Sequence, residues 1–318
     1  MNPYDISIDE HASNNSHALV LELIGHNKRV LDVGCASGYL AEVLLRRGCS
    51  VAGVERDPEL AEQARKIMDE VVVADLDELD LRAAFAEDQF DVIVFGDVLE
   101  HLRDPLRLLR SVPALLRPGG SVVISLPHVG HGDVRLSLLK GRWTYRPLGL
   151  LDNTHLRFFT RDNVVELLRS AGLAAVDFRR TTAPLFETEL GVRREDYTEE
   201  LIAEVLEDPE ALTYQFVLRA VPDDADHAVA RLMERDLEHQ DVLRGLERRV
   251  ERLERERAGL AERADAEAAR GDVEASRVRV LEDEVRTLES HLGVLHNTKT
   301  MRILRKPRAI YGRLRRLS

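Results

Sequence analysis

One short stretch near the N-terminus constrains the fold more than any other part of the chain. Residues 30–33 (Val-Leu-Asp-Val) form a short apolar run, Gly34 and Gly38 bracket a tight turn, and residues 40–47 have the composition of a helix. A strand, a glycine-containing turn and a helix N-terminus together form a corner that can bind a nucleotide-like ligand. Glycine lets the backbone approach such a ligand where a Cβ atom would collide.

The spacing within this corner indicates which kind of ligand it binds. From Asp32 to Gly38 the pattern is Asp-x-Gly-x-Ala-x-Gly, not the Gly-x-Gly-x-x-Gly of dinucleotide folds. An acid before the first glycine repels a pyrophosphate but suits a cationic amino-acid head group. The segment resembles the first motif of class I S-adenosylmethionine (SAM) methyltransferases, with Ala36 where the family usually has glycine. The alternative is an ordinary strand-turn-helix corner that binds nothing.

Apolar runs and helix-like segments alternate over the first 222 residues. The runs are short and continuously apolar, which is typical of a parallel sheet covered on both faces. The predicted strands are 30–33, 50–55, 71–74, 90–95, 121–126, 174–181 and 213–221, and the predicted helices are 16–24, 40–47, 58–68, 104–116 and 161–171. The fold class is therefore α/β, doubly wound. The family resemblance implies a Rossmann-like seven-stranded sheet of order 3-2-1-4-5-7-6, with the last strand antiparallel, in a methyltransferase domain of residues 1–222.

Composition limits the functions that this domain can have. The 318 residues carry a formal net charge of -12, but residues 299–318 are basic and contain no acid. An acidic body with one basic end argues against nucleic-acid binding. Two cysteines without a CxxC motif fit a reducing compartment, and no apolar run is long enough to cross a bilayer. No signal peptide precedes the first strand, so we expect a cytoplasmic protein.

Residues 226–298 are rich in Glu, Arg, Leu and Ala and accept a heptad without a register break. This pattern predicts a long α-helical coiled coil, with a weak point near Gly271. A single exposed helix of this length is marginal, so we expect a homodimer, and folding back near Gly271 is the rival geometry. The a positions are Val229, Asp236, Leu243, Val250, Arg257, Ala264, Gly271, Val278, Val285 and Leu292, and the d positions are Leu232, His239, Leu246, Leu253, Leu260, Glu267, Glu274, Leu281, Leu288 and Leu295.

The resemblance implies roles for residues at the ends of the first two strands. Asp32 positions the methionine part of SAM, through water, and backbone lines that part at Gly34, Cys35, Ala36 and Gly38. Nothing nearby in sequence lowers the pKa of Cys35, so we interpret it as a small filler rather than a nucleophile.

Acidic residues end the second and third strands as well. A carboxylate at Glu55 can accept both ribose hydroxyls, as in dinucleotide folds, and Arg56 could flank the adenine. By resemblance, Asp75 binds the adenine amino group and the backbone of Leu76 reads the ring. Two nearby acids, Asp77 and Glu78, remain alternatives to Asp75.

The segment after the fourth strand has two interpretations. Residues 97–101 (Asp-Val-Leu-Glu-His) resemble a segment of small-molecule O-methyltransferases, in which Asp97 and Val98 face the cofactor. Some relatives use an acid together with the pair that corresponds to Glu100 and His101 as metal ligands. Spacing identifies no further histidine ligand, so we expect no metal and a loop-orienting role for Glu100 and His101.

Methyl transfer from a sulfonium requires an aligned acceptor and one general base. Candidates for the base follow the fifth strand: His155, which Asp152 could orient, then His128 and His131. Nearby, Arg157 could hold an acidic or phosphorylated acceptor. The alternative is that this segment is a packed lid without a chemical role.

A narrower resemblance suggests the pathway. Residues 121–128, 135–143 and 154–160 resemble a bacterial branch of methyltransferases found beside glycosyltransferases in surface-polysaccharide biosynthesis. This implies a sugar or glycan acceptor and a possible glycosyltransferase partner. Residues 299–318 interleave basic and apolar side chains, so they could contact the inner face of the plasma membrane, or be a solubilising end. The alternatives are methylation of a diffusible small molecule, with the coil binding a partner, and a non-catalytic SAM-binding scaffold.

Overall fold

The computed structural model describes residues 8–10, 12–86, 89–223, 245, 247–261 and 273–297. The chain divides into two compact units: residues 1–205 with 210–234, and residues 206–209 with 235–318. The predicted basic tail and the predicted coil segments at 226–244 and 262–272 lie outside the described residues. No helix in the described ranges combines the length and the apolar character that crossing a membrane requires.

The first unit is built on a seven-stranded sheet of order β3-β2-β1-β4-β5-β7-β6, as predicted. Strands β1 to β5 are parallel, and β7 pairs antiparallel with both β5 and β6. The strands are β1 (Arg29–Val33), β2 (Ser50–Glu55), β3 (Glu70–Val73), β4 (Phe90–Gly96), β5 (Leu116–Pro127), β6 (Leu173–Thr182) and β7 (Thr213–Pro222). All seven predicted strands are therefore confirmed, most to within two residues.

Helices cover both faces of this sheet because successive strand residues point to opposite sides. On one face, Val30 and Val92 pack with helices α1 to α3; on the other, Leu31 and Ile93 pack with α5 and α7. The helices of the first unit are α1 (Ser16–Ile24), α2 (Tyr39–Arg46), α3 (Pro58–Ala64), α4 (Leu81–Ala84), α5 (Pro105–Leu109), α6 (Gly132–Leu139), α7 (Arg161–Ser170) and α8 (Glu199–Leu206).

Two predicted helices end several residues early, and the first of them, expected at 58–68, ends at Ala64. The helix expected at 104–116 ends at Leu109, and a 3₁₀ turn (Val112–Leu115) leads directly into β5. Pro113 has no backbone N–H and disfavours a helical residue before it, which ends the helix early. Strand β5 begins at Leu116 rather than at Ser121, and its pairing with β4 shifts register between Phe90 and Val92.

Two excursions from the sheet form a separate apolar core, which we call the side lobe (residues 129–159, 184–205 and 210–214). Its buried members come from both excursions and from α6 and α8: Val134, Leu136, Leu150, Leu151, Leu190, Val192, Val205 and Ala211. Asp133 is buried and joins the two excursions, because it accepts hydrogen bonds from the Phe186 N–H (2.8 Å) and the Thr188 hydroxyl (2.6 Å). The acidic segment 184–212 thus has a structural role that its sequence did not indicate.

The second unit contains helix α9 (residues 247–261) and helix α10 (Val273–Asn297). The two helices pack on each other through six side chains that are all predicted a or d positions: Val250, Leu253, Leu260, Leu281, Val285 and Leu288. The contact lies within one chain, which is the rival geometry of the sequence analysis. Pairing with a second copy stays a prediction.

Candidate functional site

The predicted corner lies where the strand order reverses, between β1 and β4. Gly34 and Gly38 both have left-handed backbone conformations (φ +86° and +85°), which glycine adopts at little cost. A Cβ atom at Gly34 would lie 2.6 Å from the Val98 Cγ2 atom, and one at Gly38 would lie 3.2 Å from the Ala64 Cα atom. Both glycines are therefore required by space as well as by conformation.

Ala36 occupies the position where glycine was expected, and it also has a positive φ (+47°). A left-handed conformation costs an L-residue roughly 1–2 kcal/mol. The Ala36 N–H donates to the Glu55 Oε2 atom (2.9 Å), which holds the strained turn in place. The family preference for glycine therefore has a conformational cause, and this chain tolerates the departure.

Asp32 lies near the carboxyl end of β1, two residues before Gly34, and its side chain is buried, with only 4% exposed. Burial and, secondly, the negative charge of Glu55 raise the pKa of Asp32 to about 7. Asp32 forms no ion pair with a cationic side chain in the described part of the chain, so a cationic group that binds beside it would favour its ionised form. This fits the predicted role beside the amino-acid part of SAM.

The burial of Cys35 supports its interpretation as a small filler. Its side chain is buried, and burial followed by the charges of Asp32 and Glu55 raises the pKa of its thiol. It packs against β2, where a Cβ atom at Gly53 would come within 2.7 Å of the Cys35 sulfur. A protonated, enclosed thiol is a poor nucleophile.

Glu55 has more hydrogen-bond partners than the sequence suggested. Besides the Ala36 N–H, it accepts from the Asp57 N–H at 2.8 Å through Oε1. A carboxylate has about four acceptor sites, so each oxygen can still accept a ribose hydroxyl. Arg56 is exposed beside it, and its contact with adenine stays a prediction.

The structure distinguishes between the acids after β3. Arg103 binds Asp77 through its backbone N–H (2.9 Å) and its Nε atom (3.1 Å). Burial tends to raise the pKa of Asp77, but these hydrogen bonds outweigh it and lower the pKa. Asp77 is therefore paired with a cation, whereas the Oδ1 atom of Asp75 accepts from the backbone N–H of Asp77 (2.9 Å), and this favours Asp75 over Asp77 as the adenine ligand. The Leu76 carbonyl accepts from Arg107 (2.7 Å), so its N–H side remains the one to read the ring.

Asp97 lies at the end of β4 in a left-handed conformation (φ +54°), a strain that often marks a functional position. Its Oδ1 atom accepts from the Ser125 hydroxyl (3.1 Å) and from the Gln215 amide (3.0 Å). Burial raises the pKa of Asp97, and the nearby imidazole of His17 opposes this. His17 also contacts the Tyr39 hydroxyl at 3.4 Å.

Sequence analysis missed three of these neighbours of Asp97. Gln215 is 118 residues away and reaches Asp97 only because β7 pairs with β5. Ser125 lies on β5, and His17 lies on a helix whose contacts no local pattern specifies. The antiparallel position of β7, which the family resemblance implied, is the one signal that could have indicated Gln215.

A second cluster lies next to Asp97. One ligand atom each from Glu100, His101 and His155 lie within 4.8 Å of one another. Glu100 is fully buried, and neither carboxylate oxygen has a hydrogen-bond partner among the described residues. Burial, followed by the charges of Asp97 and Asp152, raises the pKa of Glu100 well above its usual value.

The chain itself brings His155 to this cluster. The Glu100 carbonyl accepts from the N–H groups of Leu156 (2.8 Å) and Arg157 (2.9 Å), which ties the side lobe to the end of β4. The rings of His101 and His155 lie 4.8 Å apart, edge to face. Burial and then His101 lower the pKa of His155, so its imidazole is neutral at physiological pH.

The structure shows no hydrogen bond between Asp152 and His155 in the described part of the chain, so the predicted orientation of His155 by Asp152 lacks support. Asp152 is buried, but its Oδ1 atom accepts from the Thr154 N–H (2.7 Å) and hydroxyl (2.6 Å), which closes a local turn. The His155 Nδ1 atom has no hydrogen-bond partner in the described part of the chain. Asp and Asn side chains commonly form such turns with residues two positions ahead.

The other two histidines are enclosed by the core. His128 is 2% exposed, its ring lies 4.6 Å from that of Phe216, and a Cβ atom at Gly130 would come within 2.6 Å of it. His131 is fully buried and caps α6 by accepting from the Asp133 N–H (3.1 Å). Neither can approach an acceptor without displacing these neighbours, so His155 is the favoured candidate for the general base.

The residues present fit SAM. Gly34 keeps open a space that a Cβ atom would fill, the buried Asp32 can bind a cationic head group, and Glu55 can bind the ribose. Residues 9–177, just over half of the chain, match the family model described as "Methyltransferase domain". The chain belongs to this family, in the class whose members use SAM.

Individual relatives are similar over part of their length. The chain is 32% identical over 155 residues to a "Ubiquinone biosynthesis O-methyltransferase" of Cereibacter sphaeroides, covering 47% of this chain and 61% of that protein. A protein of the same name from Ruegeria pomeroyi is 33% identical over 155 residues, with the same coverage. The chain thus spans about three fifths of the curated relatives that it matches. Among solved structures, the Burkholderia thailandensis 1,6-didemethyltoxoflavin-N1-methyltransferase, with bound 1,6-didemethyltoxoflavin and S-adenosylhomocysteine, is 25% identical to this chain. The TM-score is 0.44, and the similarity covers 68% of this chain and 80% of that one.

Proposed function

We propose that this protein is a SAM-dependent O-methyltransferase that transfers the methyl group of SAM to a hydroxyl of a small acceptor. The observation that carries the proposal is the cofactor corner, in which Glu55 clamps the positive-φ turn at Ala36 above the buried carboxyl of Asp32. Membership of the methyltransferase family and two relatives named as O-methyltransferases support it.

The chain's own groups have distinct tasks in this reaction. SAM supplies an activated methyl group on a sulfonium, so the protein needs mainly to position the acceptor and remove its proton. Asp32 and Glu55 hold the two ends of the cofactor, and Asp97 borders it beside the acceptor. His155 is the candidate for taking the acceptor proton, because it is neutral and half-exposed at the edge of the side lobe.

The acceptor that we propose is a sugar or glycan intermediate of cell-surface polysaccharide assembly. The side lobe offers exposed rings for it: Trp143 is 36% exposed and packs edge to face on Phe158 (centroids 5.2 Å apart), and Tyr145 is 54% exposed beside it. Exposed aromatic faces bind flat apolar surfaces of a ligand. Arg157 donates from its Nη2 atom to the Arg103 carbonyl and is exposed in the side lobe, where its guanidinium would bind an acidic group of the acceptor.

A second candidate acceptor is a precursor in quinone biosynthesis. The names of the curated relatives favour it, and the same aromatic side chains would accommodate it. A screen with both acceptor classes separates the two: sugar nucleotides and glycan fragments on one side, and dihydroxylated aromatic rings on the other.

We propose a cytoplasmic location, a homodimer through the helical second unit, a glycosyltransferase partner, and contact of residues 299–318 with the inner membrane face. The basic residues of that segment would each add about 1 kcal/mol to the binding free energy near an anionic surface.

Two measurements test the membrane contact and the homodimer. Deleting residues 299–318 should abolish sedimentation with anionic vesicles, and light scattering of the full chain should give twice the chain mass. Vesicle binding that survives the deletion, or a monomer, would remove that part of the proposal.

The first experiment is a calorimetric titration of the full chain with SAM. We expect micromolar affinity, which corresponds to about -8 kcal/mol, and at least tenfold weaker binding after Glu55→Ala. Because Glu55 also clamps the turn, Glu55→Gln tests the charge with less disruption, and Glu59→Gln removes a nearby exposed acid as the matched control. A folded protein that does not bind SAM would refute the proposal and favour a scaffold.

A further inference from the structure

We propose that Gln215 is a positioning residue for methyl transfer, which holds the carboxylate of Asp97 so that one of its oxygens is left for the cationic part of SAM. The inference rests on the proposed function, because it requires a SAM site beside Asp97. Gln215 lies near the start of β7 and reaches Asp97 across 118 residues of sequence.

The two carboxylate oxygens of Asp97 have different surroundings. The Oδ1 atom accepts from the Gln215 amide (3.0 Å) and from the Ser125 hydroxyl (3.1 Å). The Oδ2 atom has no donor among the described residues, and it is not one of the polar atoms that the protein seals from solvent. Two donors therefore fix one oxygen, and the other oxygen stays open to a ligand.

The charge of Asp97 depends on the same contacts. Burial raises the pKa of Asp97 most strongly, and the imidazole of His17 opposes this. The hydrogen bonds from Ser125 and Gln215 lower the pKa as well, because donors on a carboxylate favour its ionised form. Without the Gln215 amide, the carboxylate is both freer to rotate and closer to its neutral form, and either change weakens its attraction for a cation.

The contact from Gln215 is made to the carboxylate alone, unlike that from Ser125. The Ser125 hydroxyl and carbonyl oxygens each accept from the Asp97 N–H (3.1 Å), in addition to the bond that the hydroxyl donates. The Asp97 backbone has a left-handed conformation (φ +54°), so Ser125 also holds a strained turn. Replacing Gln215 therefore perturbs the carboxylate while the backbone contacts of the turn remain.

The place of Gln215 in the sheet gives it no packing role that an apolar side chain could not fill. Side chains of a strand alternate between its two faces. Val217, two residues further along β7, is buried in the cluster that includes Leu21 of α1, so Gln215 points to the same, largely apolar face. A half-buried amide there loses part of its hydration, and the hydrogen bond to Asp97 replaces it.

A double-mutant cycle separates this positioning role from a merely structural one. The full chain is titrated with SAM by calorimetry as the wild type, Gln215→Met, Asp97→Gly and the double variant. Methionine keeps the length of the side chain without its donor, and glycine removes the carboxylate at a φ that it adopts at little cost. We expect Gln215→Met to weaken SAM binding about tenfold to hundredfold, the effect of one hydrogen bond to a charged group.

In the Asp97→Gly background, the same replacement of Gln215 should change SAM affinity by about twofold or less. The matched control is Tyr214→Phe, which removes a single hydrogen bond from the adjacent residue of β7 to the Glu189 carboxylate (2.9 Å) and should leave SAM affinity unchanged. Circular dichroism reports folding in every variant. Should Gln215→Met fail to fold, Gln215→Asn takes its place, because it keeps an amide that is one methylene too short to reach Asp97.

Wild-type SAM affinity in the folded Gln215 variant, or an equal loss with and without the Asp97 carboxylate, would overturn the role of Gln215. If Asp97→Gly binds SAM too weakly to complete the cycle, the control decides: equal weakening by Tyr214→Phe and by the Gln215 variant would also overturn it. A folded wild-type chain that does not bind SAM would instead refute the proposed function itself, and this inference with it.

Discussion

The strongest quantitative consequence of the cofactor corner concerns the pH dependence of stability. Asp32 is 4% exposed, and burial followed by Glu55 raises its pKa to about 7 from an ordinary value of 3.8. Between these values the folded protein binds a proton that the unfolded chain has released. The free energy of unfolding therefore falls as pH rises from about 4 to about 7. At 1.36 kcal/mol per pKa unit, this shift lowers the free energy of unfolding by about 4 kcal/mol once the pH has passed the folded-state pKa.

The Asp32→Asn variant isolates this contribution from all other titrating groups, because it keeps the shape and cannot ionise. The measurement is urea unfolding of both proteins between pH 4 and pH 8, followed by circular dichroism in the absence of SAM. We expect the wild type to lose stability relative to Asp32→Asn by roughly 1.4 kcal/mol per pH unit on the approach to pH 7. A difference that is constant across this range would show that Asp32 is ionised at all these pH values, and the reasoning from burial would fail.

Three further changes test other parts of the structure. Gly34→Ala places a Cβ atom 2.6 Å from the Val98 side chain at a φ of +86°. It should lower the free energy of unfolding by several kcal/mol and abolish SAM binding, as measured by calorimetry. Wild-type SAM affinity would contradict the requirement for glycine at this turn. Ala36→Gly relieves a left-handed alanine and should gain about 1 kcal/mol of unfolding free energy; a lower melting temperature would contradict the strain. Asp133→Ala removes the hydrogen bond to Thr188 between the two excursions. It should lower the free energy of unfolding by about 3 kcal/mol and reduce acceptor methylation while SAM affinity persists. Unchanged protection of residues 184–192 from hydrogen exchange would argue against a joining role for Asp133.

The sequence predicted the sheet well because its information is local. The first four parallel strands are short, largely apolar runs that end at or just before a glycine or an acid, and the corner at residues 30–40 is one contiguous motif. The carboxyl ends of parallel strands meet at one edge of the sheet, so Asp32, Glu55 and Asp75 could be placed together without any knowledge of packing.

The parts that the sequence could not predict depend on contacts between distant segments. Gln215 reaches Asp97 through strand pairing, and His155 reaches Glu100 through two backbone hydrogen bonds. Neither contact has a periodicity or a spacing that a local pattern could express. For the same reason Asp152 was assigned to the histidine three residues away, whereas its side chain binds its closer neighbour Thr154.

The separate core of the side lobe limits how the acceptor specificity of such a protein can change in evolution. Its two excursions are joined by Asp133 across more than fifty residues of sequence, and each contributes to the same apolar cluster. Recombination that exchanged only one excursion would leave a buried carboxylate without partners and a cavity on the other side. New acceptors should therefore arise by paired replacement of both segments, while the cofactor corner is inherited unchanged.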